Sequence, residues 1–536
     1  MNRRGRWSFV PDRILVGSSY LYLGTPIAIF LLGWLRLPIA LLSVAALLLG
    51  LSLTLRKFEF RDLKGALGSQ FLVGALLLAL IWVGLSGIGG FGYQNADFSR
   101  RNAVFRDLID HAWPVLYDCP VGSAPQSACG SGAALVYYFT YWLPAALVGK
   151  VAGWQMANLV LFGWTVLGVS LCMLLLARYV GRDRLLIVVA FAAWSGLDII
   201  GTIVTSWGTL VSSSSTAAHI SAHTLVGRLL ALTLNDSQLE WWAGAGIWQY
   251  SSFTTQLFWV FNSSVPAWLT TLLLLNQEDA GSLVFTYVLV LFFAPLPGVG
   301  LLPYLIFKLA TRTRALLRTD DSHGSPFQSL KSILTLQNTI VPLALTAVAI
   351  PFFGIQAGNN PHGFIWQFVP FTGARVGEYF LFCLLEFGLF SLFVLKKAPH
   401  RPLIALSMVV LAVLPLLKYA DDNDLMTRAS IPPLLILFAV GFRNIMGGVG
   451  EVGGRMRRVA SILLVVVLLL GSVTPLHELA RSRDAIVAAH GFPPADESIG
   501  TFQRLVDRQD FKSFPQIAGN ARDAFFFKVL APPISH

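Results

Sequence analysis

GGFGYQNADFSRRNAVFRDLIDHAWPVLYD, residues 89–118, is a polar, aromatic-rich stretch set between strongly apolar segments. Of its four carboxylates one, Asp97, stands just past the end of an apolar run; Asp107, Asp110 and Asp118 follow. Two cysteines follow, and then LVYYFTYWLPAALVGKVAG at 135–153. Residues 89–153 together read as the first large extracytoplasmic loop of a chain that crosses a membrane many times. Placing that loop outside sets the topology of the rest.

Composition supports the membrane reading. The 536 residues are 55% hydrophobic and 12% charged, against about 25% charged in a soluble domain, and mean hydropathy is +0.66. Repeated apolar runs reach the ~20 residues with which a helix spans a bilayer. A string of soluble domains is excluded, and an all-α polytopic membrane protein is predicted. The net charge of +11 is assigned to cytoplasmic loops, where Lys and Arg concentrate, and not to nucleic-acid binding. The chain has no P-loop, GxGxxG, HExxH or CxxC pair.

Arg3, Arg4, Arg6 and Arg13 hold the N-terminus in the cytoplasm. No small-residue cleavage site follows the first apolar run, so it reads as a retained helix. Spans are expected at 15–35, 38–55 and 67–88, the last delivering the Asp97 loop outside. As a spanning helix, 134–152 would place Arg178, Arg182 and Arg184 outside. Lying in the outer interface, with Tyr137, Tyr138, Tyr141 and Trp142 at headgroup depth, it places them inside. The interfacial reading is adopted. Spans then follow at 154–178 and 184–205, with a second outer loop at 206–250. Further spans are expected at 253–275, as two short helices broken at Pro295–Pro303 within 281–311, and at 333–353, 376–395, 402–417, 431–446 and 459–475. The count is about 13 spans of bilayer length, and every strongly basic loop falls on one side. Residues 1–475 form the transmembrane module, and 476–536 a small extracytoplasmic tail capping the outer face. Compact loops and composition place the chain in a bacterial inner membrane, N-terminus cytoplasmic, C-terminus and active site extracytoplasmic.

Within the first loop, Cys119 and Cys129 are spaced for a disulfide, which an oxidising compartment permits. Asp97 precedes SRRNAVFRDLIDHA, a helix with Val104, Phe105, Leu108, Ile109 and Ala112 on one face, expected to lie flat on the bilayer. A carboxylate held there can act as general base toward an acceptor hydroxyl. It can equally cap the helix. Asp198, Glu378 and Glu386 fall in apolar segments, where charges are costly and are paired or functional.

The Asp97 loop, the run LVYYFTYWLPAALVGKVAG and the following LLLARYVGRDR (174–184) resemble the GT-C superfamily of membrane glycosyltransferases. That superfamily includes protein O-mannosyltransferases and lipid A aminoarabinose transferases. The resemblance covers roughly residues 70–205. It implies a GT-C-like bundle with interfacial helices in the first outer loop. It also implies inverting transfer of a sugar from a polyprenyl-phosphate donor to a glycan, lipid or protein acceptor, with Asp97 as the base. Many members carry a second acidic residue beside the first, where this chain has Asn95. A charged donor phosphate calls for cations at the outer interface, and the candidates are Arg100, Arg101, His219, His223, Arg228, Arg375, Lys418 and Arg428. Asp421, Asp422 and Asp424, beside Arg428, are further candidates and a possible divalent-cation site, although the resemblance requires no cofactor or metal. Two other readings stay open. One is a polysaccharide or lipid transporter using Asp198, Glu378 and Glu386 as a relay. The other is a polysaccharide polymerase or ligase working through a late outer loop.

Overall fold

The computed structural model describes residues 12–58, 67–95, 97–117, 132–212, 239–240, 247–319, 331–357, 360–395, 400–420, 423–447, 455–491, 517–521 and 523–533. Helices dominate them. Among the described residues, seven helices are long and apolar enough to cross a membrane: Asp12–Trp34, Leu37–Lys57, Thr140–Val180, Phe253–Asn276, Gly373–Val394, Asp424–Met446 and Ser461–Ala488. Ser69–Gly84, Ala280–Leu291, Ile340–Ile355 and Arg401–Leu416 are apolar but shorter. Helix Leu37–Lys57 leaves Leu41, Leu42 and Leu48 exposed, the surface expected of a helix facing hydrocarbon. The chain is an α-helical membrane protein.

It divides into two compact units, each assembled from separate stretches. The first comprises Met1–Asp183, Phe261–Asn360 and Pro493–His536; the second comprises Arg184–Val260 and Pro361–Phe492.

In the first unit, helix Asp12–Trp34 packs on Leu37–Lys57 and on Leu143–Val180. Gly168 permits the close approach, since a Cβ there would strike the Tyr22 hydroxyl end and Val265. Tyr22 stacks on Trp164 at 4.3 Å. Its hydroxyl donates to Tyr141 (2.9 Å), which donates to Thr165 (3.0 Å). Each buried hydroxyl is thereby satisfied. The stretch expected as an interfacial helix at 134–152 is built differently. Ala133–Leu135 is a strand, paired antiparallel with Leu116–Tyr117 on one side and Ala518–Asn520 on the other. The helix begins only at Leu143 and breaks at Gly153, whose φ is 81°. The strand depends on a partner from the far end of the chain, which no local pattern announces.

The expected outer tail is likewise drawn into the first unit. Besides the strand pairing, Arg36 donates from its backbone N–H to Leu530 (2.8 Å) and from its guanidinium to Ala531 and Lys528 (both 2.7 Å). The expected break at Pro295–Pro303 falls earlier, at 292–294. Pro295 opens helix Pro295–Thr319, where its missing N–H costs nothing, and Pro303 lies inside that helix.

In the second unit, the expected span at 184–205 splits into Leu185–Ala192 and Asp198–Ser212. Tertiary bonds take over from helical ones across the gap: Leu197 N–H donates to Leu385 O at 3.1 Å, and Trp194 stacks on Phe253 at 5.1 Å. Helix Gly373–Cys383 continues through a π-helical turn, Leu384–Gly388, into Leu389–Val394. A short antiparallel ribbon joins His362–Phe364 to Leu417–Tyr419.

Candidate functional site

Asp97 stands on a turn that only glycine can make. Gly87, Gly89, Gly90 and Gly92 all have positive φ, a conformation that a side chain disfavours. At Gly89 a Cβ would also lie 2.7 Å from Asn158 O. The turn closes with a bridge between Ser86 and Gly92, and Gln94 ties back to Gly87 O at 2.9 Å. Asn102 then donates to the Gln94 side chain at 3.0 Å.

The side chain of Asn95 accepts the N–H of Asp97 at 3.1 Å. The Asp97 carboxylate takes the guanidinium of Arg101, four residues on, at 2.7 Å. Its side chain is 41% exposed, whereas that of Arg101 is 5% exposed. Arg101 Nη1 has no acceptor among the described residues, so a buried cation with a spare donor backs an open carboxylate. Arg100 points to the exterior.

The helix Asp97–Asp110 does not offer its apolar face to lipid, as the sequence suggested. Val104, Phe105, Leu108 and Ile109 are buried, against helix Leu143–Val180. Phe105 meets Trp154 at 5.4 Å. Ala112 alone of that face is exposed. Asp107, fully buried, accepts from Tyr117 at 2.8 Å. Burial first and the Asp107 charge second hold the Tyr117 hydroxyl well above its ordinary range. Asp107 is a structural anchor between helix and strand. Asp110 pairs with Arg106 at the surface.

The other described candidates lie in the second unit, largely in local pairs. Arg375 binds Glu378 at 2.7 Å, and Arg428, largely buried, binds Asp424. Lys418 sits over the Phe368 ring at 5.1 Å. Cys119, Cys129, His219, His223, Arg228, Asp421 and Asp422 lie outside the described residues.

Asp198 behaves otherwise. It is fully buried at the start of its helix, where Oδ2 accepts from Ser195 (2.7 Å) and Thr474 (2.9 Å). Glu386, on the π-helical turn and 2% exposed, lies with its carboxyl against Gly196.

Comparison with protein-family models, curated proteins and solved structures finds no match to this chain.

Two further buried carboxylates escaped the sequence reading. Glu240, fully buried, accepts from Ser252 N–H at 3.1 Å. Burial foremost, then the charges of Asp198 and Glu478, push its carboxyl well above the usual carboxylate range. Glu478, 4% exposed, accepts from Trp259 (3.1 Å) and from Arg481 (2.9 Å). The available signal was a single acidic residue in apolar company, in LEWWAGAG and VTPLHELA. Assigning one to a loop and the other to a tail concealed it. Among the described residues no group of three or more His, Cys, Asp or Glu side chains is arranged to hold a metal ion.

Proposed function

We propose that the protein is an inverting membrane glycosyltransferase using a polyprenyl-phosphate sugar at the extracytoplasmic face. The reading extends the seven long apolar helices to about 13 spans of bilayer length, with the N-terminus inside and the C-terminus outside. The observation that carries it is the Asp97–Arg101 arrangement. An accessible carboxylate stands just past the glycine turn beyond helix Ser69–Gly84 and is held by a buried guanidinium.

In the reaction, an acceptor hydroxyl attacks the anomeric carbon on the face opposite the phosphate. The bond from that carbon to the phosphate oxygen breaks, the polyprenyl phosphate leaves with the bonding electrons, and the hydroxyl proton passes to Asp97. Base catalysis of this kind contributes roughly 10²–10⁴-fold. Arg101, itself buried, holds the carboxylate in place for that proton transfer. No metal is needed for either step.

The test is a deletion strain compared with its parent by mass spectrometry of surface glycans, glycolipids and polyprenyl-phosphate sugars. Loss of one sugar from a surface acceptor, with its polyprenyl-phosphate form accumulating, supports the transferase. An unaltered glycan profile opposes it.

A further inference from the structure

In unit two, three large aromatic side chains stand half out of the protein on a segment built to hold them there. Phe364, Trp366 and Phe368 are 47%, 49% and 41% exposed, whereas Ile365 is 1% exposed. The backbone fixes this division. Phe364 N–H donates to the Gln367 side chain at 2.8 Å, and Phe368 and Val369 N–H both donate to Ile365 O at 3.1 Å. The Phe364 and Trp366 rings are stacked, 4.5 Å apart and 6° from parallel. A Cβ at Gly363 would lie 3.4 Å from the Phe368 ring, so that ring rests on the strand His362–Phe364. Further in, Trp366 meets Phe371 edge-on at 6.4 Å, and Phe371 meets Trp248 at 6.4 Å. Trp248 is buried and anchored by its Nε1–H, which donates to Pro415 O at 3.0 Å.

The segment sits where apolar helices end. Phe371 lies two residues before helix Gly373–Val394. The partner strand, Leu417–Tyr419, leaves helix Arg401–Leu416 directly, and helix Asp424–Met446 follows it. A ribbon tied to the ends of three apolar helices lies at the level where the bilayer meets water. Aromatic rings with polar neighbours are at home at that depth. Lys418 Nζ stands over the Phe368 ring at 5.1 Å. A cation thus rims the patch, its stem against apolar surface and its ammonium able to reach lipid phosphate. Exposed apolar patches of this kind mark interaction surfaces. The bilayer is the surface already in contact with the helices that carry this one.

We propose that Phe364, Trp366 and Phe368 form a bilayer anchor of unit two, seated among the headgroups and upper acyl chains of phospholipid, with Lys418 at its rim. Interfacial anchors set the depth and tilt of the helices joined to them. Here the nearest is Gly373–Val394. The anchor is independent of Asp97, and its failure leaves the transferase reading untouched.

The experiment places the full chain in vesicles of phosphatidylcholine with a minority of phosphatidylglycerol. The lipids carry bromine either high or low on the acyl chain, where it quenches tryptophan emission. Subtracting the signal of Trp366→Phe, which keeps an aromatic ring, from that of wild type isolates Trp366 among the 15 tryptophans. Its emission is expected to be quenched strongly by bromine near the glycerol and weakly by bromine near the chain end. Emission untouched by either lipid but quenched by aqueous iodide overturns the proposal. Radical footprinting of wild type needs no variant. In nanodiscs holding one copy, Phe364, Trp366 and Phe368 are expected to be protected, and oxidation of all three overturns the anchor. Protection that appears only when two copies share a nanodisc also overturns it, since the patch then belongs to a second copy.

Discussion

At the scale of the residue, the side chains that matter differ in what they are free to do. Asp97 is accessible and held by one charge, whereas Asp107 is enclosed and held by Tyr117. Tyr117→Phe is expected to leave the Asp107 carboxylate short of a donor and to cost about 1–3 kcal/mol; thermal unfolding in detergent reads it. Glu240 gives a pH dependence of defined sign. Its carboxyl is raised in the folded chain. Its contribution to stability is therefore complete below the ordinary carboxylate range and is lost as the pH rises through the raised value. Melting temperature against pH is expected to fall less steeply in Glu240→Gln than in wild type. Asp97 was legible in the sequence because a lone carboxylate after an apolar run is conspicuous. The burial of its partner Arg101 was not, since burial is set by tertiary packing that the local sequence does not report.

At the scale of the element, glycine sets both the close contacts and the breaks. Gly168→Val is expected to destabilise the first unit by about 1–3 kcal/mol, the range for an overpacked contact, because Tyr22 and Val265 occupy the space. Loss of monodispersity in detergent at a lower temperature than wild type is the readout. Helices with long uniform apolar runs, such as Asp12–Trp34 and Leu37–Lys57, were readable from hydropathy to within a few residues. The failures share one cause. Ala133–Leu135 became a strand through a partner at 518–520, and the span at 184–205 broke because Leu197 found Leu385. Local pattern reports what a segment prefers alone, and in these places tertiary hydrogen bonds outweighed it. Even the apolar face of Asp97–Asp110 was correctly identified; its covering is helix Leu143–Val180 and not lipid.

At the scale of the whole molecule, the chain is an α-helical membrane protein whose residues divide into two units, each assembled from separate stretches of sequence. Composition announced the first property. The second was hidden because each unit is closed by segments distant in sequence, including the C-terminal 517–533 that had read as a separate tail. The proposed orientation follows the segregation of Lys and Arg. Alkaline phosphatase fused after residue 536 is expected to be active outside the cell membrane, and an inactive fusion at matched expression argues for the opposite orientation. The central claim is catalysis by Asp97, and complementation of a deletion strain tests it most directly. Wild type, Asp97→Asn and Asp97→Glu are compared at equal membrane abundance, with the missing surface sugar quantified by mass spectrometry. The account expects wild type to restore the sugar and Asp97→Asn to lower its rate of appearance by roughly 10²–10⁴-fold, the worth of a general base. Full restoration by Asp97→Asn contradicts it.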